Sequence, residues 1–133
     1  MKLKTGLLGI VPVAAGLALA GNVALAHHSG AMYDASKTMT VQGTLKRTMF
    51  GNPHSWLWLV VPSSTGTQDL YSFEGGSIAE LARRWGPSAQ QAITVGKQIT
   101  ITYHPLKDGR PSGQVVSIIL PDGTVLKDAP GTG

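Results

Sequence analysis

The sequence predicts a mostly β domain of five to six strands with one short helix between strands three and four. Three observations predict it. Alternating or wholly apolar stretches are separated by clusters of Gly, Pro, Asn and Asp, a single apolar run at helical spacing follows a capping box, and none of the 133 residues is cysteine. The lack of cysteine excludes a disulfide framework, a lipoprotein anchor and any thiolate metal site, so stability must come from packing.

Residues 1–26 read as a secretory signal peptide. Lys2 and Lys4 give a positive start, 7–19 is apolar apart from breaks at Pro12 and Gly16, and Ala24 and Ala26 flank Leu25 in an A-x-A cleavage pattern. Cleavage there makes His27 the first mature residue, with a rival A-x-A at 18–20. The competing reading is an uncleaved anchor, because 7–26 is just long enough to span a bilayer; the cleavage pattern favours removal. Without a twin-arginine signal the general secretory route and a periplasmic or secreted location follow. Residues 27–133 suffice for one core and not for two domains. Losing Lys2 and Lys4 with the leader lowers the formal net charge from +4 to +2, which is no basic stripe for nucleic acid.

An extended segment, 27–37, is expected to lead into the barrel domain at 38–127, with a flexible tail over 128–133. In the first strand, 38–46, Met39, Val41, Gly43 and Leu45 alternate with Thr40, Gln42, Thr44 and Lys46. After Gly51-Asn52-Pro53, the stretch 56–61 is apolar on both faces, as in a central strand, with Trp56, Trp58 and Val60 opposite Leu57, Leu59 and Val61. A third strand covers 70–74, with Tyr71 and Phe73 sharing a face. Ser77 and Glu80 then form the capping box of a helix carrying Ile78, Leu81, Ala82 and Trp85, stopped by Gly86-Pro87. Strands over 99–103 and 114–120 follow, separated by a loop containing Asp108-Gly109, and a short final strand covers 124–126. Three strands, a helix and two strands is the order of an OB-like barrel, with a small β-sandwich as the alternative.

All four histidines, His27, His28, His54 and His104, lie beyond the leader. A mature N-terminal histidine offers its α-amine and ring Nδ1 to one metal in a six-membered chelate, and a further imidazole completes a nitrogen set suited to Cu(II). His54 and His104 fall in the two loops expected to rim one end of an OB barrel. This arrangement is known as a histidine brace and resembles the copper site of lytic polysaccharide monooxygenases and of some periplasmic copper carriers. The start of the first strand should lie at the pole opposite His54, so the N-terminal segment must run back, and at about 3.3 Å per residue 27–37 reaches roughly 36 Å. The bland readings are a polar disordered terminus for His27 and His28, a turn-capping ring for His54, and a solvated residue before Pro105 for His104.

Other residues carry weaker signals. Met32, Met39 and Met49 offer thioethers, but Met39 sits in a strand pattern and reads as core filler. Glu74 reads as a carboxylate ligand or general base, or as a helix-end charge. Arg83 and Arg84 read as the helix's solvated face. Trp56 and Trp58 read as core first and as a stacking platform second.

The motifs His27-His28-Ser29, Asn52-Pro53-His54 with Trp56, Glu74-Gly75-Gly76-Ser77, Asp108-Gly109 and Leu120-Pro121-Asp122-Gly123 together resemble an uncharacterised family of small exported bacterial proteins, a domain of unknown function. Its members show A-H-H-S-F, T-N-P-H-x-W, E-x-G-S-P and L-P-D-G-R motifs. Here Gly30, Gly51, Ile78 and Thr124 replace the usual aromatic, Thr, Pro and Arg, and every histidine is kept. The resemblance implies export and fold and carries no reaction with it.

The function expected is a periplasmic metal-binding carrier or accessory protein, with copper favoured and His27, His28, His54 and His104 as ligands, acting alone or with a periplasmic protein partner. The alternative is a metal-free OB-fold module that binds a protein or polymer through the loops around His54 and His104, with Trp56 or Tyr103 as contact surface. An enzyme ranks last, since no G-x-S-x-G, no H-E-x-x-H and no carboxylate pair at a legible spacing is present.

Overall fold

A computed structural model describes residues 28–128. Its elements run α1 (His28–Ala31), β1 (Met39–Met49), β2 (Ser55–Pro62), β3 (Gln68–Gly75), α2 (Ile78–Trp85), α3 (Ala89–Ala92), β4 (Gln98–Pro105), β5 (Ser112–Ile119) and β6 (Val125–Lys127). The strands pair in the order β3-β2-β1-β4-β5-β6, and a parallel β3–β5 contact, Ser72 to Ser112 through Glu74 to Gln114, closes β1 to β5 into a barrel. β6 is an extra strand on the later half of β5. This is the OB-type barrel that the element order predicts, with α2 between β3 and β4.

Closure decides which face of each strand is core. Leu45, Leu57, Leu59, Phe73, Ile99, Ile101, Tyr103, Val115 and Ile118 fill the interior, each no more than 4% exposed. β2 is apolar on both faces, so its pattern does not reveal which side points in. Leu57 and Leu59 do, while Trp56 and Trp58 stand half-buried on the outer face with their centroids 6.3 Å apart. The core assignment of the two indoles is thereby corrected; the narrow interior of a small barrel is filled by side chains such as these leucines. Met39, expected as core filler, is 49% exposed at the first position of β1, opposite Tyr103.

Local chemistry explains the bends and stops. β1 shifts register between Leu45 and Arg47, a bulge that lets one long strand pair with β2 at one end and β4 at the other. Gly113 is required where β5 crosses Tyr103: a Cβ there would lie 2.2 Å from the Tyr103 ring and 2.6 Å from the His104 carbonyl oxygen. In α2 the Ser77 hydroxyl accepts from the Glu80 amide while the Glu80 carboxylate accepts from the Ser77 amide, and Leu81 is buried. Glu80 titrates below the usual carboxylate range, first through the Ser77 backbone and then through its hydroxyl. α3 had no expected counterpart.

Both ends of the described chain are more structured than the sequence suggests. The segment expected to be extended begins with the α1 turn, and Tyr33 then forms a β-bridge with Leu106. Asp128, assigned to the tail, is 3% exposed; its carboxylate accepts from Arg84 and from the Gly76 amide, the latter at 2.9 Å. Arg84 therefore does not belong to a wholly solvated helix face.

Candidate functional site

Glu74 lies at the end of β3, between Trp56 of β2 and Gln114 of β5. Phe73 points into the core, so strand alternation turns Glu74 outward. It is nevertheless only 4% exposed. What covers it is the N-terminal segment. Asp34 donates its amide to the Pro105 carbonyl at 2.8 Å, Lys107 donates to the Met32 carbonyl at 2.9 Å, and the Tyr33–Leu106 bridge lies between them. These ties lay Tyr33, itself 3% exposed, over the barrel wall, and its hydroxyl donates to Glu74 Oε2 at 2.5 Å. Burial first, then this hydrogen bond and the charge of Glu74, push the Tyr33 hydroxyl well above its ordinary range.

His54 reaches the same carboxylate from the other side. The β1–β2 loop holding it is pinned to the start of α2: Ile78 donates to the Gly51 carbonyl at 3.2 Å, Ser55 donates to the Gly76 carbonyl at 3.0 Å, and Gly51 donates to the buried Ser55 hydroxyl at 3.3 Å. A cis Asn52–Pro53 peptide immediately precedes His54. His54 Nδ1 lies 3.1 Å from Glu74 Oε1, with side-chain exposures of 39% and 5%. The ring is not aligned for a hydrogen bond, and Glu74 Oε1 is a buried oxygen without a hydrogen-bond partner among the described residues. A cavity of about 150 Å³ opens beside His54, lined also by Gln114, Glu80, Arg84 and Asp128.

Among the described residues, His54 and His104 do not line a common cavity. His27 lies outside the described residues, and His28 is the first residue of α1. His104 is in β4 rather than a loop, opposite Gln114, with Nδ1 2.7 Å from the Lys37 carbonyl oxygen. It does not line the cavity beside His54. Among the described residues no three His, Asp or Glu side chains are placed to share an ion. What the structure does join is His54, Glu74 and Tyr33. Tyr33 drew no functional reading from the sequence, because its partner is 41 residues away. Glu74 did, but its helix-end explanation fails: Glu80 caps α2, and Glu74 is held by Tyr33.

A second surface lies on the outer face of β1 to β3. The planes of Trp56 and Trp58 are 28° apart, the Arg47 guanidinium stands 4.8 Å from the Trp58 ring centre, and Leu70 is 51% exposed nearby. A cavity of about 440 Å³ joins Trp56 and Leu70 to Met32, Tyr33 and Arg110. Tyr103, expected as a contact residue, is 4% exposed and packs edge-on against Phe73, so it offers no such surface.

The molecule is thus a small OB-type barrel whose N-terminal segment is fastened over a histidine–carboxylate pair. It belongs to a family of unknown function, DUF6152, whose model matches residues 15–115. No curated protein matches the chain. Among solved structures it is similar to a mitochondrial single-stranded DNA-binding protein from S. cerevisiae, at 10% identity and a TM-score of 0.47, over 70% of this chain and 96% of that one. No described helix is long and apolar enough to cross a membrane.

Proposed function

We propose that the protein is an exported metal-binding carrier or accessory protein, copper favoured, that holds the ion through His54 together with the α-amine and imidazole of His27, with His28 and His104 as further candidates. One observation carries this reading. The N-terminal segment is fixed by Tyr33 onto the carboxylate against which His54 rests, Tyr33 Oη to Glu74 Oε2 at 2.5 Å and His54 Nδ1 to Glu74 Oε1 at 3.1 Å. Tyr33 and His54 thus meet on one carboxylate, which supports a path for the N-terminal histidines toward His54.

The residues present suit such an ion. Histidines that ligate metals commonly place their second ring nitrogen beside a carboxylate, and His54 Nδ1 lies 3.1 Å from Glu74 Oε1. A chain processed to begin at His27 adds an amine that titrates near neutrality and is available to a metal. With imidazole and amine donors and no thiolate, Cu(II) is the ion the donor set favours. Bound copper would supply a redox-active or transferable cation, and the protein's part is to hold and deliver it.

Isothermal titration of the protein processed to His27 tests this: binding of one Cu(II) far tighter than millimolar is expected, and its absence removes the reading. The outer Trp56–Trp58–Arg47 face, with its half-buried indoles, favours a second reading, a metal-free module binding a protein or polymer partner. A pull-down unchanged by chelator would favour it, and loss of the partner on chelation would count against it.

A further inference from the structure

We propose that Glu74 is a positioning residue for His54: it takes the hydrogen of Nδ1, which leaves Nε2 as the ring nitrogen free to meet an incoming ion, while Tyr33 holds the carboxylate in that orientation. This rests on the metal-binding reading of His54 and adds which nitrogen binds and what sets it.

A neutral imidazole has one donor and one acceptor nitrogen, and an ionised carboxylate only accepts. The two oxygens of Glu74 are not equivalent. Oε2 is taken by the Tyr33 hydroxyl at 2.5 Å, and the raised titration of that hydroxyl is consistent with its remaining the donor. Oε1 is closed to water and has no hydrogen-bond partner among the described residues; His54 Nδ1 at 3.1 Å is the nitrogen placed to serve it. An Nδ1 lone pair facing that buried oxygen would repel it, so the hydrogen belongs on Nδ1, and a small turn of the ring aligns the bond.

The other ring edge has somewhere to look. The His54 side chain is 39% exposed against 5% for Glu74, and His54 lines the cavity of about 150 Å³, so the ring has open surface away from the buried carboxylate, where Nε2 is taken to meet the ion. The two groups at 3.1 Å would also suit two ligands on one ion. Burial of Oε1 argues against that arrangement, since an ion would have to displace packed atoms to reach it.

The tautomer can be read without any metal. In a long-range proton–nitrogen correlation of the 15N-labelled, processed protein near neutral pH, His54 is expected to show a protonated Nδ1 and an unprotonated Nε2. In Glu74→Gln, the amide oxygen stays with the Tyr33 hydroxyl and the NH₂ turns to His54, so the hydrogen should move to Nε2. Tyr33→Phe frees the carboxylate to rotate and should leave a mixture. With Cu(II) added, Glu74→Gln should bind about 10- to 100-fold more weakly, the usual effect of losing such a partner. A wild-type His54 protonated on Nε2, or a tautomer indifferent to Glu74→Gln, overturns the proposal without touching the metal reading. Loss in Glu74→Gln of a carboxylate from the copper coordination sphere would also overturn it, by making Glu74 a ligand. Failure of the wild type to bind copper would instead remove the metal reading and leave the tautomer result to stand or fall by itself.

Discussion

Replacing Tyr33 with Phe keeps the ring in its place against the barrel wall and deletes one hydroxyl. That hydroxyl donates at 2.5 Å to Glu74, whose side chain is 5% exposed and whose other oxygen has no hydrogen-bond partner among the described residues. A hydrogen bond to a charged group contributes about 1.5–3 kcal/mol, and its loss here strands a buried acceptor, which places the expected cost at about 2–3 kcal/mol. At about 4–8 °C per kcal/mol for a domain of this size, the thermal midpoint should fall by roughly 8–24 °C. Urea denaturation followed by tryptophan fluorescence at pH 7 measures the free-energy cost, and thermal unfolding measures the midpoint. The pH dependence has a definite sign. Folding raises the Tyr33 hydroxyl above its ordinary 10.0, so its contribution is complete below that pH and is lost as pH rises above it. The gap between wild type and Tyr33→Phe should stay level from neutrality to about pH 9 and narrow beyond about pH 10. A cost under about 0.5 kcal/mol at pH 7, well below a charged hydrogen bond, or a gap that widens in alkali, would refute the role assigned to the hydroxyl.

Other perturbations have equally definite outcomes. Leu57→Ala, at a fully buried position, should cost about 2–5 kcal/mol in chemical denaturation, whereas Trp58→Leu, on the outer face beneath Arg47, should cost about 1 kcal/mol; the reverse order would return the indole to the core. Gly113→Ala should destabilise by about 1–3 kcal/mol or more, because its Cβ meets backbone as well as the Tyr103 ring, and an unchanged midpoint would contradict that packing. Ser77→Ala should cost about 1 kcal/mol through loss of the α2 cap, read as a shift in thermal midpoint. Asp128→Ala removes the partner of Arg84 and the acceptor of the Gly76 amide; an effect near zero would restore Asp128 to a tail.

Strand order and the helix between β3 and β4 were legible because short-range signals mark them. The Ser77/Glu80 box, Gly86, and the alternation of Ile99, Ile101 and Tyr103 each speak for their own segment. Facing was not legible where both sides of a strand are apolar: only closure of β3 on β5 tells Leu57 from Trp58. Contacts between distant segments were equally hidden. The sequence marks His54 by its loop and Glu74 by its strand end, but nothing local links either to Tyr33 or links Arg84 to Asp128. His104 illustrates the converse, a residue placed near a loop by pattern that the β4–β5 pairing keeps within a strand.

The most direct measurement is electron paramagnetic resonance of Cu(II) added at one equivalent to the chain beginning at His27, compared with His54→Ala. Metal binding at this barrel end requires a single copper species with nitrogen couplings that lose one imidazole contribution in the variant, with affinity falling in parallel. Identical spectra and affinities for the two proteins, or only the signal of unbound copper in both, would contradict it.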